Sequence, residues 1–82
     1  PSFKQYREAD GKFYFKLLAA DGRLLLQSAG FDAPKEAGQA IALLQSQPDA
    51  LSTLAAKLPA VAGVDAADVR AALQALAEAN AA

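Results

Sequence analysis

The sequence predicts an α+β domain in which a three-stranded antiparallel β-meander packs against a helix, in the order β-β-β-α, and is followed by two further helical segments. Three observations lead there. All six aromatic residues lie within residues 1–31, in short runs that alternate apolar with polar side chains. Asp-Gly recurs between those runs, at Asp10-Gly11 and Asp21-Gly22, and this pair is a strong hairpin signal because glycine accepts the positive φ of a tight turn. Beyond Phe31 no aromatic ring occurs, and leucine, valine and alanine recur at helical spacing.

Each strand has its own grammar. The first run sets Phe3, Gln5 and Arg7 against Lys4, Tyr6 and Glu8, then meets Ala9-Asp10-Gly11. The second sets Phe13, Phe15 and Leu17 against Tyr14, Lys16 and Leu18, then meets Ala20-Asp21-Gly22. The third is Arg23-Leu24-Leu25-Leu26-Gln27-Ser28, closed by Gly30. Strands are expected at roughly 3–8, 12–18 and 23–29, with Phe13, Phe15 and Leu17 on the buried face. By the same parity Leu18 and Leu25 fall on the opposite face.

The helices are marked by their ends. Pro34 suits a first helical turn, where its missing N–H costs nothing, and Glu36 sits near the positive end of the dipole. Ala37, Ala40, Ile41 and Leu44 then supply the stripe that covers the sheet, and Gly38 within it suggests close approach of helix to sheet. Ser46-Gln47-Pro48-Asp49 breaks the chain, and Leu51, Leu54 and Leu58 form a short second stripe ending at Pro59. Asp65 reads as an N-cap with Asp68 at N3 and Val64 stapled onto Val69, opening a last helix over 66–79 with Val69, Leu73 and Leu76 as its seam. Residues 1–46 thus form the β-β-β-α unit, and residues 47–82 a helical extension packed on or beside it.

Composition narrows the chemistry. The 82 residues include no Cys, His, Met or Trp, which removes disulfides, thiol or histidine catalysis and the common zinc, haem and iron–sulfur ligand sets. No catalytic residue, metal site or cofactor is expected. Apolar residues make up 54% of the chain, but half of those are the 22 alanines, and no run approaches the roughly 20 residues that cross a bilayer. The expectation is a cytoplasmic domain without a membrane partner. The chain opens on Pro1 with no initiator methionine, as expected of a processed chain or of one cut from something longer. Residues 1–31 carry a net charge of +2 (five basic, three acidic) and residues 32–82 a net −3 (three basic, six acidic), so any positive potential lies on the sheet half.

Gly11-Lys12-Phe13-Tyr14-Phe15-Lys16-Leu17, Ala20-Asp21-Gly22, Ser28, Phe31 and Ala37-Gly38 with Ile41 together resemble the YegP-like family, a domain of unknown function. The resemblance covers about residues 3–46 and implies the β-β-β-α unit. That family often holds two such units in tandem, whereas this chain continues into alanine-rich helices. Phe3 to Gly11, with Phe31 to Ile41, is also similar to the extra domain of the longer bacterial tryptophan-tRNA ligases. This second resemblance implies a non-catalytic accessory domain in protein biosynthesis, with a parent catalytic domain as partner.

The candidate site is the sheet face opposite the helices. If Phe13, Phe15 and Leu17 point inward, Tyr14 and Lys16 point outward beside Lys4 and Tyr6, with Lys12 and Arg23 near the strand ends. Aromatics flanked by basic residues on an open sheet can stack bases and contact phosphates. The same face, through Leu18 and Leu25, also suits a protein partner, either the parent domain or a second copy in a homo-oligomer. Both occupants, tRNA and protein, remain open at this level. Ser28 reads as a local hydrogen-bonding residue at a strand end, and Asp10 and Asp21 as turn residues bonded to nearby backbone N–H groups.

Overall fold

The computed structural model describes residues 1–47 and 49–81. Strands β1 (Ser2–Arg7), β2 (Phe13–Leu18) and β3 (Leu24–Gln27) form an antiparallel sheet in the order β1-β2-β3. Helix α1 (Pro34–Ser46), the short helix α2 (Ala50–Thr53), a 3-10 turn (Ala55–Lys57) and helix α3 (Ala66–Ala81) follow. Pro34 occupies the first turn of α1 with Glu36 beside it. Within the expected break at Ser46–Asp49, Pro48 lies outside the described residues.

Both hairpins use one device. The Gly11 N–H donates to the Glu8 carbonyl at 3.0 Å and the Gly22 N–H to the Ala19 carbonyl at 2.9 Å. The two glycines take φ of +80° and +90°, while among the described residues no other residue type has positive φ. Each aspartate therefore stays in ordinary backbone geometry, and the following glycine alone supplies the left-handed residue that returns the chain. The Asp10 carboxylate accepts from the Lys12 N–H at 2.9 Å and that of Asp21 from the Arg23 N–H at 3.0 Å.

The core forms on one side of the sheet. Phe15, Leu17, Leu44 and Leu73 are fully buried, joined by Leu25, Leu26, Phe31, Ala37, Ala40, Ala50 and Val69. Phe13, Ile41, Val64 and Leu76 are half-buried against them. Phe15 sits between rings, edge-on to Phe3 at 5.8 Å and stacked with Phe31 at 6.0 Å, each pair adding about 0.5–1.5 kcal/mol beyond area burial. Helix α3, through Val69 and Leu73, belongs to the same buried cluster as the sheet and α1.

Three expectations need correction. Leu25 is not on the open face. A bulge between Leu17 and Leu18 pairs Leu17 with Leu26 but Leu18 with Leu24, so Leu25 is the extra residue and turns inward with Leu26, 4% and 6% exposed. Gly38 makes no close approach, since a Cβ built there meets no atom within 4 Å. Asp65 caps α3 through its backbone alone: the Asp68 and Val69 N–H groups donate to the Asp65 carbonyl at 3.0 and 3.3 Å. Among the described residues its carboxylate accepts no hydrogen bond.

Candidate functional site on the open sheet face

The strand register sets the site. Lys4 lies directly opposite Lys16, and Tyr6 directly opposite Tyr14. All four therefore share the face turned away from Phe15 and Leu17, because side chains alternate along a strand. Gln27 pairs with Lys16 from the β3 side, and Leu18 with Leu24 forms a half-buried apolar strip at the far end.

The two tyrosines form one unit. Their rings stack with centroids 5.5 Å apart and planes 14° apart, and the Lys16 ammonium lies 5.5 Å from the Tyr6 ring centroid. Gln27 Nε2 donates to the Tyr6 hydroxyl at 2.7 Å, while the Tyr14 hydroxyl donates to Asp10 Oδ2. This last bond pushes the Tyr14 phenol up to about 12 and holds the Asp10 carboxyl below its ordinary value. One turn residue thereby both closes a hairpin and fixes a ring on the face.

Gly30 completes the support. A Cβ there would come within 2.7 Å of Lys12 Cδ and 3.1 Å of the Tyr14 hydroxyl, so the Lys12 stem and the Tyr14 hydroxyl pack close to Gly30 and any side chain at that position would have to displace them. The buried Ser28 Oγ donates to the Ala29 carbonyl at 2.9 Å, a local bond as expected, and also accepts the Phe15 N–H at 3.0 Å from the neighbouring strand, a bond the local reading did not include. Neither role of Gly30 nor the Gln27–Tyr6 bond was singled out in the sequence. The composition Ser-Ala-Gly after a strand marks only a strand end.

The six candidate polar residues divide in two. Lys12 is ion-paired with Asp32 at 3.0 Å and Arg23 with Asp21 at 2.9 Å. Hydrogen bonding to Asp32 raises the Lys12 pKa. Lys4, Tyr6, Tyr14 and Lys16 remain together on the face, and neither Lys4 nor Lys16 has an acidic partner among the described residues. Glu8 and Asp10 bound the opposite end, lining one shallow depression with Tyr6, Tyr14 and Gln27. Glu8 also shares a second depression with Tyr6 and Lys16, so the face is of mixed charge, with Lys4 and Lys16 opposite each other and the acidic groups beginning beside Tyr6. No group of three or more acidic side chains gathers among the described residues, and no described helix is long and apolar enough to cross a membrane.

Residues 8–50 match the family model described as "Domain of unknown function (DUF1508)". The chain is 55% identical over 80 residues to a tryptophan–tRNA ligase of Xanthomonas axonopodis pv. citri, covering 96% of this chain and 18% of that protein. It is 48% identical over 80 residues to the tryptophan–tRNA ligase of Xylella fastidiosa strain 9a5c, covering 98% of this chain and 18% of that protein. A third such ligase, from Xanthomonas campestris pv. campestris, is 71% identical over 42 residues, or 51% of this chain and 10% of its own length. The chain thus spans less than a fifth of the curated relatives it matches most fully. No solved structure matches it.

Proposed function

This chain belongs to the DUF1508 family, and on that premise we propose that it acts as a non-catalytic accessory domain of a tryptophan–tRNA ligase, contacting tRNA through the open face of its sheet. The observation that carries the reading is the end-to-end similarity to a short part of much longer proteins of that name. The relatives are tryptophan–tRNA ligases, which suggests tRNA as the polyanion; the face supplies two lysines outside any ion pair among the described residues, beside a pair of aromatic rings. Positive charge next to stackable rings is what a nucleic-acid strand requires of a protein surface. The rival occupant, a protein partner docked on apolar side chains, loses one of its two anchors with Leu25 in the core.

The test uses the Xanthomonas axonopodis relative, whole and with the segment matching residues 1–82 removed, titrated with tRNA at two salt concentrations. Weaker binding after removal, with the difference shrinking at high salt, is the expected result because counterion release drives phosphate contacts. Superimposable curves at both concentrations reject the tRNA role.

A further inference from the structure

The open face contains an arrangement that sheet stability disfavours. Lys4 and Lys16 are direct cross-strand neighbours, and like charges so placed repel. Of the other cations of this half, Lys12 is offset by Asp32 and Arg23 by Asp21, while Arg7 lies over the Phe13 ring, 5.5 Å from its centroid. Lys16 likewise leans over the Tyr6 ring, both side chains half-buried, in a cation–π contact. The ammonium thus covers a π surface, and neither lysine of the cross-strand pair is in an ion pair among the described residues, although Glu8 shares a depression with Lys16 and Tyr6.

We propose that Lys4, Lys16 and Tyr6 form a site for a single unpaired ribonucleotide. The phosphodiester lies between the two ammonium groups, and the base stacks on Tyr6 in the place Lys16 vacates as it swings to the phosphate. This rests on the tRNA reading and says which part of the RNA the face takes. Charge complementarity supports a single phosphate, since the face offers two lysines outside any ion pair among the described residues, while Glu8, which shares a depression with Tyr6 and Lys16, and Asp10 beyond it disfavour a second anion. Access supports an unpaired base, since a ring lying on a sheet is reached only by a base free of its own helix. The Tyr14 stack and the Gln27 hydrogen bond hold the Tyr6 ring in place, so little ordering accompanies binding.

The chain offers its own reporter. It has no Trp, and its two tyrosines, Tyr6 and Tyr14, both lie on this face, so intrinsic fluorescence reads the site alone. The probe is a mixed-sequence single-stranded RNA decamer, compared with the same strand annealed to its complement. The single strand should quench tyrosine emission and bind with a log K against log salt slope of about −0.7, for the one phosphate neutralised. Tyr6→Ala should weaken it about 5- to 150-fold. Lys4→Ala should weaken binding and flatten that slope, and Lys16→Met should do the same while keeping the quench, because the ring is then free. Unfolding midpoints no lower than that of the unsubstituted chain in the two lysine variants separate lost binding from lost folding, since removing either charge relieves the cross-strand repulsion. Equal affinity for duplex and single strand, binding without quench, or no binding by this chain would each overturn the single-nucleotide site. The tRNA role itself stands or falls separately, on the segment-removal titration.

Discussion

Replacing Ser28 by Ala removes one atom and should cost more than its size suggests. Ser28 is the buried polar side chain of the described core, 4% exposed. Its Oγ is the acceptor for the N–H of Phe15, which is itself fully buried, and its hydroxyl donates a hydrogen bond to the Ala29 carbonyl. Alanine leaves the Phe15 N–H with no partner and no route to water, and an orphaned buried donor costs about 1–3 kcal/mol. Total stability for a chain of this length is on the order of 4–12 kcal/mol, so the loss is a substantial part of the whole. Each kcal/mol should lower the melting temperature by about 4–8 °C. Urea unfolding should show a reduced midpoint with an unchanged slope, and the Phe15 amide should exchange faster while those of α3 keep their order of protection. A loss below about 0.5 kcal/mol would refute the reasoning, since it would mean that the Phe15 N–H finds another partner and that the bond to Ser28 holds nothing together.

Phe15→Ala should cost about 3–5 kcal/mol in the same assay, and a loss under about 1 kcal/mol would place that ring outside the core. Gly38→Ala should stabilise the chain by up to about 1 kcal/mol, because the added methyl meets nothing within 4 Å; destabilisation would reveal a neighbour at that position. Asp65→Ala should change stability by no more than about 0.5 kcal/mol, since its backbone carbonyl caps α3 and survives the substitution. The Tyr14 phenol should titrate at about 12, its hydrogen bond to Asp10 being the largest cause, and Asp10→Asn should bring it down when followed by the Cζ resonance. Because the folded-state value is raised, stability from the protonated phenol is complete below its ordinary value of 10.0 and is lost as pH rises through about 12. The lowered Asp10 pKa acts at the other end: its contribution is complete above the ordinary 3.8 and is lost as pH falls through the folded-state value.

What was legible in the sequence was what neighbouring residues decide among themselves. The Asp-Gly pairs specify their turns because a positive φ and an Asp carboxylate bonded two residues ahead are local requirements, met within five residues of chain. The alternation through Phe13–Leu18 orients β2 because strand geometry has a period of two, and from it the sharing of a face by Lys4, Tyr6, Tyr14 and Lys16 follows once the hairpin register is set. Pro34 announces α1 for an equally local reason. The tertiary structure decided the rest. Leu24, Leu25 and Leu26 are chemically identical, so nothing in their order says where a bulge falls; the demand of α3 and the sheet for two adjacent inward leucines settles it. The surroundings of Gly38 and the pairing of Lys12 with Asp32 depend on how segments distant in sequence are brought together, as does the arrest of Tyr6 between Tyr14, Gln27 and Lys16. Periodicity can assign a side chain to a face, but its neighbours there come from other segments, and packing chooses them.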